Sequence, residues 1–382
     1  MDCAEAAGRG AERLKLLFVV TEDWYFISHR LPLALAARAA GFEVAVATRA
    51  GRQAQLIGEA GLRLIPFELS RRGGNPLREV LALWRLYRRE QPDLVHHVAL
   101  KPVMFGALAA WLARVPAQVN AVAGLGWLFT SSSGIVRLAR PLLRWVLARL
   151  LNQPQSLTIV QNPDDRAALE QAGVAATRLR LIRGAGVDVQ IFYPVVPPPA
   201  PVCVALVARM LRDKGVGEFV AAAERLTGAG VNARFILVGE PDPANPASVP
   251  AATLRTWHGQ HGVEWWGQRA DMAAVLQTMH IACLPSYYGE GLPKSLLEAA
   301  ACGLPIVTSD APGCREIVRE GVNGLLVPVR DVDALVVALR KLIDDPGLRL
   351  RLGEQSRLLV ETAFSLEIVL EQTLAVYREL GA

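Results

Sequence analysis

Two glutamates could do chemistry at the start of a predicted helix in the second half of the chain. Glu290 and Glu298 stand eight residues apart in GEGLPKSLLE, which opens as a glycine-rich loop and continues as a helix from about Pro293. The first N–H groups of a helix have no partner inside it, and the helix dipole favours anions there. A loop carboxylate, these amides and a carboxylate one turn into the helix could hold a sugar, a diphosphate and a ribose. The alternative is an ordinary loop–helix junction with two solvated glutamates.

Two cations follow the first predicted strand of the same half. Arg209 and Lys214 lie five residues apart, directly after the apolar run at residues 203–207. Ligands of open α/β sheets bind beyond the carboxyl ends of the strands. The pair could therefore clamp a diphosphate and neutralise the charge that grows on a leaving nucleotide. For each cation alone, an ordinary surface charge is the alternative.

Residues 285–318, PSYYGEGLPKSLLEAAACGLPIVTSDAPGCREIV, resemble the donor-site signature of the retaining GT-B glycosyltransferases of family four. The match includes the family's E-x7-E spacing, the ACGLP run, and Gly313 followed by Glu316. The resemblance extends over nearly all of the chain and is weaker in the N-terminal half. The most similar subset builds bacterial surface or lipid-linked glycans.

The resemblance implies a role for each residue of the donor site. Glu298 would accept hydrogen bonds from the ribose hydroxyls, and Glu290 would bind hydroxyls of the donor sugar. Arg209 and Lys214 would hold the donor diphosphate, so these two cations and Glu290 are counted as catalytic. Pro293 has no N–H, so the candidate donor-binding groups beside it are the amides of Gly291, Leu292 and Lys294. Strand-end Gly239 and the turn residue Arg269 are candidates for contacts with the nucleobase.

In the N-terminal half, His97 resembles the family's cleft histidine, which would bond the donor sugar or phosphate as a fourth catalytic residue. His96 is the alternative, because neighbouring strand residues face opposite sides of a sheet. Lys101 is a candidate for binding an acceptor phosphate, and Asn120 precedes a glycine-containing loop that suits close approach of the acceptor.

The loop after the first strand departs from the family pattern. It has TEDWYFISHR where many members have a Gly-Gly pair. The loop resembles the subset with lipid-linked acceptors, which would make Ser28, His29 and Arg30 acceptor-phosphate groups. Alternatively, His29 and Arg30 only open the following helix.

No metal or other cofactor is expected, since the nucleotide sugar is a co-substrate. Asp331-Val332-Asp333 matches a metal-binding D-x-D by letters, but it precedes an apolar helical run, which predicts a helix N-cap. Neither half has G-x-G-x-x-G after its first strand, so a dinucleotide cofactor is not indicated. The resemblance implies that the leaving phosphate itself takes the acceptor proton, with an oxocarbenium-like transition state.

Strands and helices alternate through both halves, which predicts parallel sheets covered on both faces. The expected fold is α/β, of the GT-B type, with two Rossmann-like domains facing a cleft. Residues 13–194 would bind the acceptor and residues 202–364 the donor, joined by a proline-rich linker at 194–201. The resemblance implies that a C-terminal helix within 365–382 crosses back onto the N-terminal domain.

Charge is distributed unevenly over the 382 residues. Residues 1–200 hold 24 lysines and arginines against 15 aspartates and glutamates, a net charge of +9, whereas the remainder has a net charge of −4. A basic half suits an anionic membrane surface or a phosphorylated acceptor. Nucleic acid is not expected, because no zinc-finger spacing or basic-aromatic RNA motif occurs.

The segment at 137–151 is basic, amphipathic and contains Trp145, which is typical of a helix on anionic lipid. The alternative is a helix packed on its own sheet with its arginines in water. No apolar run is long enough to span a bilayer. The five cysteines form no metal-binding spacing, which fits a reduced cytoplasmic protein.

Taken with the resemblance, the sequence predicts a retaining, metal-independent glycosyltransferase at the inner face of a bacterial membrane. It would move a hexose or N-acetylhexosamine from a nucleotide sugar, expected to be UDP-linked, to a polyprenyl-diphosphate-linked saccharide. A sugar-nucleotide epimerase on the same double-Rossmann frame is one alternative. A non-catalytic nucleotide-sugar-binding protein is the other.

Overall fold

The computed structural model describes residues 13–70, 74–122, 134–287 and 290–381. The chain forms two compact units. The first runs to Ile182 and also includes Leu370–Ala382, and the second is Arg183–Val369.

The first unit has a seven-stranded parallel sheet in the order β3-β2-β1-β4-β5-β6-β7. Its central strands are mostly buried, as expected for a sheet with helices on both faces, whereas the two edge strands are partly exposed. The strands are β1 (Lys15–Glu22), β2 (Glu43–Arg49), β3 (Arg63–Pro66), β4 (Leu94–Val98), β5 (Ala117–Val122), β6 (Ser156–Val160) and β7 (Leu179–Leu181). The helices are α1 (Asp23–His29), α2 (Leu31–Ala39), α3 (Ala54–Glu59), α4 (Pro76–Glu90), α5 (Leu100–Ala113), α6 (Gly134–Leu151) and α7 (Pro163–Gln171).

The second unit has a six-stranded parallel sheet in the order β10-β9-β8-β11-β12-β13. The strands are β8 (Val202–Val207), β9 (Ala233–Val238), β10 (Val263–Trp265), β11 (Ile281–Leu284), β12 (Ile306–Ser309) and β13 (Gly324–Val327). The helices are α8 (Val216–Gly228), α9 (Ala251–Trp257), α10 (Met272–Gln277), α11 (Lys294–Ala301), α12 (Val332–Asp344) and α13 (Pro346–Ala363), and the last helix of the chain, α14 (Leu366–Glu379), follows α13. Asp331 caps α12 by accepting from the amide of Ala334 at 2.9 Å, which confirms its predicted role as an N-cap.

Each sheet reverses its winding direction at one point. In the first sheet β1 lies between β2 and β4, and in the second β8 lies between β9 and β11. Ligands of doubly wound sheets bind beyond the carboxyl ends of the strands at such a switch point. The loops that follow β1, β4, β8 and β11 are therefore the places where a site is expected.

Helix α14 begins in the second unit and ends in the first. Tyr377 is fully buried there, with its hydroxyl 2.6 Å from Nδ1 of His96 and its ring edge-on to Phe42. Glu379 pairs with Arg180 of β7. These contacts anchor the end of the chain in the first unit, in agreement with the predicted crossover.

The division between the units precedes the predicted linker at 194–201 by about a dozen residues. Residues 183–193 already belong to the second unit because their backbone is held by its helices. The Arg357 guanidinium of α13 donates to the carbonyls of Val189 and Phe192, at 3.1 and 2.7 Å. The proline-rich stretch is also held, because its Pro198 carbonyl lies 2.9 Å from Nε2 of His280.

Candidate active site

The helix that carries Glu298 begins one residue later than predicted. Pro293 is the N-cap of α11, with φ −66° and ψ 109°, and Lys294 is the first helical residue. The first bonds within the helix run from the amides of Leu296 and Leu297 to the Pro293 carbonyl, at 3.1 and 3.3 Å. The predicted phosphate-binding amides all lie before these two and so outside the hydrogen-bond ladder of the helix.

Glu290 and Lys214, predicted from distant parts of the sequence, are in contact. The Lys214 ammonium pairs with Oε1 of Glu290. The hydroxyl of Ser286 lies 2.9 Å from the same carboxylate oxygen. The pair follows β8 and β11, the two central strands at the switch point of the second sheet. A cation and a carboxylate thus meet where a ligand of this fold is expected.

Ser286 was missed in the sequence, although it stands at the end of β11 only four residues before Glu290. It is fully buried, and its backbone carbonyl accepts from the Ser309 hydroxyl at 2.6 Å. The Tyr287 amide donates to the Asp213 carbonyl at 3.0 Å, which ties the loop after β11 to the loop after β8. The signal that could have found Ser286 is a hydroxyl residue directly after a buried strand.

Two glycines allow these loops to approach each other. Gly215 has φ +75°, and a Cβ there would lie 2.3 Å from the Pro285 carbonyl oxygen. Gly313 has φ +80°, and a Cβ there would lie 2.5 Å from the carbonyl oxygens of Glu290 and Gly291. Any larger residue would displace the backbone that carries Glu290. The glycine of the donor-site signature therefore has a steric reason to be there.

Glu298 lies one turn into α11 and is 9% exposed. Burial raises the pKa of its carboxyl, and the charge and hydrogen bond of Lys294 oppose that rise. The two side chains approach to 3.3 Å. A nearly buried carboxylate beside a helix N-terminus can accept hydrogen bonds from hydroxyl groups of a ligand.

Arg209 also follows β8, but it pairs with Asp242 at 2.8 Å and is partly exposed. Gly239 directly follows β9 with φ +138°, and a Cβ there would lie 1.9 Å from the Ala208 carbonyl oxygen. Leu292 is buried, so of the groups predicted to bind the donor it can offer its amide only. Arg269 is held by Asp271 at 2.6 and 2.8 Å. Its predicted contact with the nucleobase stays a prediction.

His97, predicted to bond the donor sugar or phosphate, lies within β4. His97 is fully buried in β4, with Nε2 2.9 Å from the Tyr87 hydroxyl of α4 and Nδ1 2.8 Å from Oδ1 of Asn120. These partners suit a neutral imidazole that donates from Nδ1 and accepts at Nε2. Burial is the larger effect and lowers the pKa of His97 to about 4, and the hydrogen bond to Asn120 acts in the opposite direction. Both ring nitrogens have partners inside the unit, so the predicted contact with the donor sugar or phosphate would require a change of partner and stays a prediction.

The alternative, His96, is also fully buried, stacked on Phe18 at 5.1 Å between ring centroids. A strand of a sheet covered on both faces buries both of its sides. The expectation that one of the two histidines faces a ligand stays a prediction.

The other predicted acceptor-binding residues of the first unit are spread over different surroundings. Asn120 is fully buried, donates from Nδ2 to the Ser156 hydroxyl at 3.0 Å and is part of the His97 network, so its predicted contact with the acceptor stays a prediction. Lys101 pairs with Glu79 at 2.8 Å and donates to the Ser70 carbonyl at 2.5 Å. Its predicted contact with an acceptor phosphate would require a change of partner.

The three residues after β1 that were predicted to bind an acceptor phosphate have different surroundings. Ser28 is exposed, and His29 stacks on the ring of Tyr25 with 4.2 Å between the centroids. Arg30 is 5% exposed and joins the two helices, as the C-cap of α1 and the N-cap of α2. The alternative, that His29 and Arg30 only open a helix, agrees with the position of Arg30 before α2. It does not explain why the charged side chain of Arg30 is buried.

Helix α6 has an apolar exposed side. Leu142 and Trp145 are 63% and 65% exposed, whereas Leu147 and Leu151 are buried against the sheet. Across the described parts of the chain, no helix is both long and apolar enough to cross a bilayer. In the same residues, no three histidine, cysteine, aspartate or glutamate side chains cluster in a way that could hold a metal ion.

Both halves of the chain match glycosyltransferase families. Residues 201–345 match the family described as glycosyl transferases group 1, and residues 15–152 match the one described as glycosyl transferase 4-like. The chain belongs to these GT-B glycosyltransferases. The predicted family and the predicted class of activity are thereby confirmed, and neither the epimerase nor the non-catalytic alternative has support among these matches.

Two bacterial relatives of this glycosyltransferase are similar over most of their length. The N,N'-diacetylbacillosaminyl-diphospho-undecaprenol alpha-1,3-N-acetylgalactosaminyltransferase of Campylobacter jejuni is 29% identical, over 87% of this chain and 92% of its own. The UDP-Gal:alpha-D-GlcNAc-diphosphoundecaprenol alpha-1,3-galactosyltransferase of Escherichia coli is 24% identical, over 72% of each chain.

Among solved structures, HepE of Anabaena, in complex with UDP, matches with a TM-score of 0.75 and 19% identity. The match covers 96% of this glycosyltransferase and all of HepE. At this identity the likeness shows the fold, and it confirms the predicted pair of Rossmann-like domains.

Proposed function

We propose that this glycosyltransferase moves a hexose or an N-acetylhexosamine from a UDP-sugar to a polyprenyl-diphosphate-linked saccharide in surface polysaccharide or glycan biosynthesis. The names of the two bacterial relatives support this, since both describe transfer of such a sugar to an undecaprenol-linked acceptor. The basic N-terminal half suits an acceptor that carries a diphosphate.

The contact of Lys214 with Glu290 beside the start of α11 is the observation that carries the proposal. In the bound state, Lys214 and Arg209 would hold the diphosphate, and Glu290 would bind hydroxyls of the donor sugar. Glu298 would accept from the ribose hydroxyls. Both cations are paired with carboxylates in the structure. Binding of a donor would exchange these partners for phosphate oxygens.

The proposed reaction retains the configuration at the anomeric carbon. The bond from that carbon to the leaving diphosphate breaks, and a bond to the acceptor oxygen forms on the same face of the sugar. The acceptor proton passes to the leaving phosphate oxygen. Lys214 and Arg209 stabilise the negative charge that grows on the diphosphate, which is a task that bound metal ions perform in other transferases. We therefore propose that neither a metal nor another cofactor is required.

The test is nucleotide release from a panel of UDP- and GDP-sugars, with and without a detergent-solubilised polyprenyl-diphosphate saccharide. Release should depend on the acceptor and on one donor, and should persist in EDTA. Glu298→Gln should lower kcat/KM about 10- to 100-fold, the value of a hydrogen bond to a charged group. The control Glu354→Gln changes an exposed glutamate of α13 and should have no effect.

Three results would count against parts of the proposal. Conversion of the donor to an epimer without release would remove the transfer reaction. A product with inverted anomeric configuration, read by NMR, would remove retention. Loss of activity in EDTA that added Mg²⁺ restores would remove metal independence.

We also propose that the enzyme binds peripherally to the inner face of the cell membrane, through Leu142 and Trp145 of α6 with Arg144 and Arg149 beside them. Nucleic acid is not a proposed partner. Trp145→Ala should weaken binding to phosphatidylglycerol vesicles about tenfold, because one large apolar side chain leaves the interface. Trp111→Ala is the matched control, since Trp111 is 54% exposed on α5. Equal binding of both variants would exclude α6 as the contact.

A further inference from the structure

The loop after β9, residues 240–249, carries the carboxylate that pairs with Arg209. Its sequence is EPDPANPASV, and each of its three prolines fixes one φ angle. Oδ2 of Asp242 accepts from Nη1 of Arg209 at 2.8 Å. The Asp242 side chain is 13% exposed, whereas the Arg209 side chain is 42% exposed. The carboxylate is thus the more deeply buried member of the pair.

Hydrogen bonds that do not involve the Arg209 side chain hold this loop in place. The Asp242 amide donates to the Ser248 hydroxyl at 3.0 Å, across the base of the loop. The Arg212 amide, in the segment after β8, donates to the Ala247 carbonyl at 2.7 Å. Asp242 should therefore keep its position when the guanidinium of Arg209 turns away from it.

The cations beyond β8 already have carboxylate partners. Arg209 pairs with Asp242 as Lys214 pairs with Glu290. A carboxylate and a phosphate both bind the N–H donors of a guanidinium through two oxygens in a similar geometry. A diphosphate that binds Arg209 must therefore compete with Asp242 for these donors.

This competition has a cost for the ligand. When Arg209 turns to a phosphate oxygen, the little-exposed carboxylate of Asp242 loses its ion pair, which is unfavourable for a charge that water reaches poorly. The loss offsets part of the free energy of binding. We propose that Asp242 is an internal competitor of the diphosphate, which lowers the affinity of the site for nucleoside diphosphates and so speeds release of the product nucleotide.

The inference rests on the proposed function in one respect, namely that Arg209 binds the diphosphate of the donor and of the product. It adds a residue that the sequence did not suggest. Asp242 acts on the ligand through Arg209 and is a residue that sets affinity, not a catalytic residue.

The test compares Asp242→Asn and Asp242→Ala with the control Asp344→Asn, which removes the carboxylate of an exposed arginine–aspartate pair on α12. Dissociation constants and dissociation rates of UDP and GDP are measured on the full-length variants. For the nucleotide that binds, both Asp242 variants should lower the dissociation constant about fivefold, a modest effect because Arg209 is partly exposed. The change should lie mainly in slower dissociation. Asp344→Asn should match the parent.

A double-mutant cycle shows whether the effect passes through the arginine. Arg209→Met should weaken nucleotide binding, and adding Asp242→Asn to it should then change nothing further. Thermal unfolding without ligand checks that each variant is folded.

Two results would overturn the proposal. Weaker nucleotide binding in the Asp242 variants would mean that the carboxylate orients Arg209 for the phosphate. Equal affinities in the Asp242 and Asp344 variants would mean that the pair has no influence on the ligand. If the affinity depends on Asp242 through Arg209 but no donor supports transfer, the proposed function fails and the inference stands. If transfer occurs but Arg209→Met leaves nucleotide affinity unchanged, the inference fails and the transfer reaction stands.

Discussion

The polar side chains near the switch points of the two sheets differ in where they lie and in how they are paired. In the second unit, Lys214 and Glu290 stand beyond the strand ends, pair with each other and stay partly accessible. In the first unit, His96 and His97 lie within β4, fully buried in neutral networks. Charges that pair outside a sheet can change partners when a ligand arrives. Neutral groups that are buried within it stabilise the fold and are poorly placed to change.

The largest effect should follow from removing the cation of the second unit. Lys214→Met should lower kcat/KM about 10²- to 10³-fold, because one group that stabilises growing negative charge is worth roughly 3–4 kcal/mol in the transition state. Lys341→Met, on the exposed side of α12, is the matched control. Steady-state kinetics with saturating acceptor would measure both. A loss below threefold in Lys214→Met would mean that the pair with Glu290 is structural, like the networks of the first unit.

For the first unit the opposite is expected. His97→Ala should lower the free energy of unfolding by about 3 kcal/mol, because it leaves the Tyr87 hydroxyl and Oδ1 of Asn120 buried without a partner. The kcat/KM of the folded fraction should stay within a few-fold of the parent. Urea unfolding and kinetics on the same samples would check both, with the exposed His261→Asn as the control. Full stability with a hundredfold loss of kcat/KM would instead support the sugar-binding role predicted for His97.

The surroundings of His97 show which features can be predicted from the sequence and which cannot. Apolar runs predicted β1, β8 and β11, and the rule that ligands bind at strand ends brought Lys214 and Glu290 together across 76 residues. The same reasoning established that His96 and His97 face opposite sides of a strand. It could not show that β4 continues to Val98 or that helices α4 and α14 supply a tyrosine to each histidine. Those tyrosines are distant from the histidines in the chain, and no local sequence pattern predicts the contacts.

The neutral network should also make stability depend on pH. The pKa of His97 is about 4 in the folded chain, against about 6.5 when unfolded. Below pH 6.5 the unfolded chain therefore binds more protons, and stability is lost as the pH falls from about 6.5 towards 4. Between pH 7 and pH 5 this histidine should account for a loss of about 2 kcal/mol. Urea unfolding at both values should show a smaller loss in His97→Gln than in the parent. Equal losses would assign the pH dependence to other groups.

The smallest effect expected is that of the hydroxyl that supports Glu290. Ser286→Ala removes the hydroxyl's contacts with the Glu290 carboxylate and the Asp213 carbonyl, at 2.9 and 3.1 Å. The Ser309 hydroxyl and the Tyr287 amide keep their bonds to backbone carbonyls, so the loop keeps its course. The bond goes to a charged carboxylate, but Lys214 stays paired with the same oxygen and offsets part of the loss, so kcat/KM should fall only about fivefold to tenfold with little change in stability. Ser286→Thr keeps the hydroxyl and should recover part of the lost kcat/KM. The control, Thr362→Ala on α13, should leave kcat/KM unchanged. If Ser286→Ala were as damaging as Lys214→Met, the carboxylate of Glu290 would depend on the serine for its position more than on the lysine. The second unit would then resemble the first in relying on a buried network.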